Sequence, residues 1–379
     1  MRDVSGTPSA GTSSECIHGG ASFEDIGTAF DDLDRRHRVI NADVLDAWFP
    51  PAPSVLEALR ENLDWLASTS APTNCDGLIR TIAEVRGISA QCILPGAGSS
   101  DLIYRALAHW LSPAAHILVL DPGYGEYPHL GEKVLGCRVD RFPLDRRSGY
   151  RLDPGALQAR LATGRYDLAV IVNPNNPTGQ HVPREALEKL AGQVPLTTLL
   201  WIDEGYVDYA GPGQSMERFA AQRPNLVVCK SLGEAYALSG MRAAYLCGAA
   251  ENIAQLRRWT PSWVIGLPAQ VAAVKALQAA KYYQGCYRQT RELRRQLADG
   301  LRHVQPHWDI LEGEANFVLC QLPTAGPTAA TLADRFATRG LFVRDVAEMG
   351  VGLGQHVLRI AVKDAATQER MLAIVLELA

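Results

Sequence analysis

An α/β fold, with a mostly parallel central sheet and a smaller α+β C-terminal domain, follows from three features of the 379-residue sequence. Between about Gln91 and Gly248, short apolar runs alternate with helical patterns, the rhythm of a parallel sheet with crossover helices. Several of the runs are continuously apolar, as strands covered on both faces must be. After Pro268 the texture changes to a long helical stretch followed by a few strands and two further helices. This organisation predicts a flexible Gly/Ser/Thr-rich arm over residues 1–40 and a large domain over 65–267. A small domain is then built from 41–64 and 268–379.

The elements follow in chain order. Val44–Leu66 precedes the sheet and is expected to pack beside it. The strand candidates of the large domain are QCILPG, HILVLDPG, DLAVIVNP, TTLLWIDEG, NLVVCKS and AAYLCG. Between the first two, Asp101–Leu111 places Leu102, Ile103, Ala106, Leu107, Trp110 and Leu111 on one helical face. Pro183–Leu190 is a second helix, with proline near its start, where a missing N–H costs nothing. A helical stretch then runs from Pro268 to about Val304. It is followed by the strand ANFVLCQL, a helix near Ala329–Arg339, the strands GLFVRDV and HVLRIAV, and a last helix, Ala366–Leu378.

Composition narrows the function. The net charge is −4, and no basic stripe suits nucleic acid. No apolar run approaches the roughly 20 residues that span a bilayer. The N-terminus has no apolar signal-peptide core. Eight cysteines show no metal-ligand spacing and read as reduced core thiols of a cytoplasmic protein. The nine scattered histidines suggest no metal site.

Five short motifs carry chemistry. Gly96-Ala-Gly-Ser-Ser100 joins a strand to a helix, where glycine permits close approach and free N–H groups favour phosphate. A plain helix cap explains it equally well. Asp121-Pro-Gly-Tyr-Gly-Glu-Tyr127 puts Tyr124 in a turn at the C-terminal edge of the sheet, where a ring can stack. In Asn173-Pro-Asn-Asn-Pro-Thr-Gly179 two prolines hold the chain extended or turned and leave Asn amides to bond a ligand. Trp201-Ile-Asp-Glu-Gly-Tyr206 ends a strand on Asp203, an acid that calls for a cation if buried. Cys229 to Arg242 reads CKSLGEAYALSGMR.

In this order, and followed by EANFVL and LRIAV, the motifs resemble the class I/II, fold type I, aminotransferases that use pyridoxal 5′-phosphate (PLP). The likeness is closest to the histidinol-phosphate aminotransferase group and its amino-acid decarboxylase cousins, and it covers nearly everything after Ile40. It implies that Gly98, Ser99, Ser100, Ser231 and Arg242 hold the cofactor phosphate. Tyr124 would stack on the ring, Asn176 and Tyr206 would bond its phenolic oxygen, and Asp203 would pair with the pyridinium nitrogen. Arg359 matches the substrate-carboxylate arginine, with Asn316 and Arg344 as substrate-side neighbours. A homodimer and a biosynthetic role come with the resemblance.

The sequence departs from the family at one decisive place. The Schiff-base lysine stands eight residues before the phosphate arginine, and eight before Arg242 is Glu234. Glutamate has no amine to bond the cofactor, but it can serve as an acid or base. Lys230 is four residues away, about 13 Å of extended chain, and reads as a strand-end or surface lysine. A second departure is TSAPTNCDGLIR, where relatives carry a tyrosine that reaches the neighbouring subunit's phosphate. The favoured reading is an aminotransferase-like enzyme that binds PLP, or its aminated form PMP, noncovalently. It would act on an amino acid or a phosphorylated or phosphonylated analogue, with Glu234 as the possible acid/base. The alternatives are a non-catalytic relative, an ordinary PLP enzyme carrying an engineered lysine-to-glutamate change, and an enzyme of another class that has reused the pocket.

Overall fold

The computed structural model describes residues 18–379. Its strands are β1 (Ile40–Ala42), β2 (Ile93–Gly96), β3 (His116–Asp121), β4 (Arg138–Pro143), β5 (Leu168–Val172) and β6 (Leu199–Asp203). They continue with β7 (Leu226–Ser231), β8 (Ala244–Gly248), β9 (Asp309–Glu312), β10 (Phe317–Gln321), β11 (Leu341–Asp345) and β12 (Val357–Ala361).

Seven strands form one sheet in the order β2-β8-β7-β6-β5-β3-β4. The neighbours from β7 through β6, β5 and β3 to β4 are all parallel, while β8 runs antiparallel to both β2 and β7. Only β8 is therefore reversed, and the expected mostly parallel sheet is the one found. Alternation along each strand splits its side chains between two cores. Leu118, Ile171, Ile202 and Val228 enter one core. Val119, Val170, Trp201 and Val227 enter the other. Both faces are covered, so the apolar runs are continuous.

All six strands read from apolar runs of the large domain are present. β4 was not among them, because its sequence RVDRFP alternates polar residues along the sheet edge and has no apolar run. Five strands form the second sheet, in the order β1-β11-β12-β10-β9. The stretch after Pro268 divides at Ala279 into two helices, Leu267–Gln278 and Ala280–Val304. The region before the large sheet forms Pro53–Glu61 and Leu63–Ser68, which pack against the Leu267–Gln278 helix.

Within the segment expected to be a flexible arm, residues 1–17 lie outside the described residues. The remainder holds a short helix, Ser22–Ile26, and a 3-10 turn, Leu33–Arg38. Gly20 N–H donates to Asp43 over 2.7 Å and ties this segment to the second sheet's edge. Among the described residues, no helix is long and apolar enough to cross a membrane.

Candidate active site

The C-terminal ends of β2, β5, β6 and β7 meet at one mouth. Gly98 stands at the N-terminus of the Ser99–Trp110 helix with φ of 93°, a left-handed conformation that favours glycine. A Cβ at this position would collide with the Arg242 guanidinium, so the close approach of that side chain depends on glycine. Ser99 and Ser100 form the first helical turn, where backbone N–H groups have no intrahelical acceptor.

Ser231 closes β7 and is buried. Its hydroxyl donates to Glu234 Oε2 over 2.5 Å and accepts the Gly233 N–H at 3.1 Å. Tyr209 Oη donates to the Glu234 carbonyl at 2.8 Å, which anchors the loop. The Glu234 carboxyl is half-buried. Burial pushes its pKa up, while the Ser231 hydrogen bond and the charge of Arg242 pull it back.

Asp203 ends β6. Its carboxylate accepts the Tyr127 hydroxyl at 2.6 Å and the Gly205 N–H at 3.1 Å. Trp201 Nε1–H donates in turn to Tyr127 Oη at 2.7 Å. Both donors to Asp203 are neutral, and burial lifts its pKa to about 6. Tyr124, from the turn after β3, donates to Glu126 Oε2 at 2.9 Å, and the His18 ring nitrogen lies 3.3 Å from the same oxygen.

The Asn173–Gly179 turn, with cis bonds before Pro174 and Pro177, brings Asn176 to β12 of the second sheet. Arg359 Nη1 donates to Asn176 Oδ1 at 2.6 Å and Nη2 to the Asp43 carbonyl at 2.7 Å. Arg359 also lies over the Phe317 ring at 5.6 Å, and Phe317 meets Tyr206 edge-on, also at 5.6 Å. Burial brings the Arg359 pKa down to about 10, which keeps the side chain cationic at neutral pH. Its Nε is buried without a hydrogen-bond partner. Arg344 pairs in register with Arg359, and its Nη1 lies 3.8 Å from Asp43 Oδ1. A cleft of about 560 Å³ is lined by Tyr124, Asp43, Arg344 and Arg359, with His18 and His129 at its side.

These residues form one electrostatic neighbourhood. Glu234 acts on Asp203 and Tyr206, Asp203 on Tyr124, and Tyr206 on Arg359. Asn316 stands apart from the cleft: its Nδ2 donates to the Leu45 carbonyl at 2.8 Å, while its buried Oδ1 has no partner.

Lys230 is corrected on its burial. It stands at the end of β7, as expected, but is wholly buried rather than at the surface. Its Nζ sits 2.9 Å from Asp208 Oδ2 and 3.9 Å from Glu204 Oε2. Arg86 joins this cluster at 3.7 Å from Asp208 and 3.6 Å from Glu217. β7 alternates its side chains, so the amine points away from the face that Ser231 serves. Sequence reading missed Tyr127, Trp201, Asp43 and Phe317. Tyr127 and Trp201 lie inside motifs that had been singled out, but nothing local marks them as the pair behind Asp203.

Comparison with known proteins identifies the family and the fold. The family model for aminotransferase class I and II matches residues 45–377. A histidinol-phosphate aminotransferase of Microcystis aeruginosa is 26% identical over 330 residues, covering 87% of this chain and 89% of that protein. The crystal structure of the Sinorhizobium meliloti histidinol-phosphate aminotransferase, in complex with pyridoxal-5′-phosphate, superposes with a TM-score of 0.79 at 23% identity over 89% of each chain. An L-threonine-O-3-phosphate decarboxylase from Porphyromonas gingivalis shares the fold with a TM-score of 0.76 at 19% identity, over 89% of this chain and 98% of that one.

Proposed function

This chain belongs to the class I and II aminotransferases, and on that premise we propose that it holds PLP or PMP without a covalent link. It acts as an aminotransferase-like enzyme on an amino acid or a phosphorylated or phosphonylated analogue. The observation that carries the reading is Asp203: a buried carboxylate bonded only to neutral donors, with its pKa lifted to about 6. A protonated pyridine nitrogen is the cation that such a carboxylate lacks. The cradle at Gly98, which a methyl group would close, fits the cofactor's phosphate.

Gly98, Ser99, Ser100, Ser231 and Arg242 would hold the phosphate. Tyr124 would cover the ring, Asp203 would keep its nitrogen protonated, and Asn176 and Tyr206 would bond its phenolic oxygen. When bound, the cofactor supplies an electron sink for a carbanion formed on the substrate. Arg359, a cation held by Asn176 and Asp43, binds the substrate carboxylate, and Arg344 adds charge beside it. Glu234 holds or releases a proton at Oε2: burial raises its pKa, while the Ser231 hydrogen bond and the Arg242 charge favour the ionised form. Two copies of the chain assemble as a dimer.

A second reading is favoured by one contact. The Ser231 hydroxyl, assigned to the phosphate, is engaged by Glu234, as it would be in a non-catalytic relative whose pocket has closed on itself. Absorbance titration with PLP decides between them. The enzyme reading expects a saturable visible band that dialysis removes and borohydride does not fix to the protein, and that Asp203→Ala abolishes. No spectral change up to millimolar PLP favours the closed pocket. If the glutamate replaces a native lysine, Glu234→Lys gains a borohydride-fixable band together with transamination.

A further inference from the structure

We propose that Glu234 makes this pocket selective for the aminated form of the cofactor, pyridoxamine 5′-phosphate, over the aldehyde form. The inference rests on the cofactor-pocket reading above and adds the chemistry of the one group that distinguishes the two forms.

Glu234 is placed among the residues assigned to the cofactor rather than beside them. Ser231 donates to its carboxylate, and its charge is felt by Asp203 and Tyr206, while Arg242 acts on it in return. An ionised carboxylate only accepts hydrogen bonds. An aldehyde is uncharged and likewise only accepts, so an ionised Glu234 would offer it no hydrogen bond. The primary amine of PMP is protonated at neutral pH. It brings three donors and a positive charge, and so forms a charge-assisted hydrogen bond with the carboxylate. The half-buried setting strengthens that attraction relative to open solvent.

A lysine at the same position would do the reverse. It would react with the aldehyde and repel the ammonium. Replacing an amine with a carboxylate therefore inverts the preference instead of merely weakening it. The two cofactor forms share ring, phenol and phosphate. Contacts from Asp203, Asn176, Tyr206, Gly98 and Arg242 cancel in the ratio of their affinities, as does any competition between Glu234 and phosphate for Ser231. The change in that ratio between the native chain and Glu234→Gln reads position 234.

The test is calorimetric binding of PMP, PLP and inorganic phosphate to the full chain, after dialysis into phosphate-free buffer near neutral pH. The expected result is PMP binding at least about tenfold more tightly than PLP. Glu234→Gln keeps the shape and removes the charge, and should bring the two affinities within about threefold. Circular dichroism and thermal melting confirm that this variant is folded. Equal or tighter binding of PLP by the native chain overturns the proposal and leaves the pocket reading standing. So does a PMP preference that survives in Glu234→Gln. If neither ring compound binds better than inorganic phosphate, the pocket reading falls and this inference with it.

Discussion

Asp203 shows how a single residue records an absent charge. Its pKa is raised from 3.8 to about 6, so the folded chain binds its proton more tightly than the unfolded chain does. An acid shifted in this direction contributes most below its unfolded pKa, and stability falls as pH rises between about 4 and 6. Asp203→Asn removes the titration and keeps an acceptor for Tyr127. The cofactor-free variant should therefore be more stable than the native chain at pH 8, by roughly 2–3 kcal/mol. That advantage should vanish below about pH 4, as chemical denaturation at both pH values would show. The same variant should lose PLP affinity by at least about tenfold, because a neutral amide no longer pairs with the pyridinium. Gly98 makes the complementary case for space. Gly98→Ala puts a methyl group into the Arg242 guanidinium on a backbone with φ of 93°. It should weaken phosphate-bearing ligands about tenfold or more in a fluorescence titration while costing only about 1–2 kcal/mol of stability.

At the scale of elements, β7 divides two chemistries between adjacent residues. Ser231 faces the mouth, and Lys230 faces a buried cluster with Asp208, Glu204, Arg86 and Glu217. Removing Lys230 takes the nearest cation from Asp208 and Glu204 and leaves Asp208 only the longer Arg86 contact. Lys230→Met should cost about 3–5 kcal/mol in urea unfolding, and Lys230→Met with Asp208→Asn should recover part of that loss. A pair acting independently would give additive losses instead. The strands themselves were legible, because a run buried on both faces announces itself as VVC or AVIV. The cluster was not: Arg86, Asp208 and Lys230 are far apart in the chain, and no local pattern shows that the helix ending at Arg86, packed beside β2, sends its guanidinium to Asp208. Gly98 and Asp203 were legible because a strand-to-helix turn and a strand end demand unusual residues there, whereas Arg242 was singled out only through the family resemblance. Tyr127 escaped because its partner Asp203 is 76 positions away. β4 escaped because an edge strand tolerates polar side chains.

The whole molecule places Arg359, the arginine proposed to bind a carboxylate, from one sheet against a turn that closes a strand of the other. The Arg359–Asn176 bond of 2.6 Å spans the two sheets, so the cleft exists only when both are folded and docked. Arg359→Lys loses the fork that reaches Asn176 and the Asp43 carbonyl together. It should raise the KM for a carboxylate substrate about tenfold or more, with a smaller effect on kcat. The large exposed side chains of Trp259 and Trp263 belong to this scale too, since a monomer leaves both rings in water. Sedimentation velocity should give a species of twice the chain mass, and charged substitutions at these two tryptophans should shift it toward the monomer. Finally, the sealed setting of Lys230 gives the folded chain a built-in reporter. Amine-directed reagents such as formaldehyde with cyanoborohydride should methylate the solvent-facing lysines within minutes and spare this one. The tryptic fragment carrying residue 230 should acquire the tag only when the domain opens, so mass spectrometry of a labelling time course would clock global unfolding under native conditions.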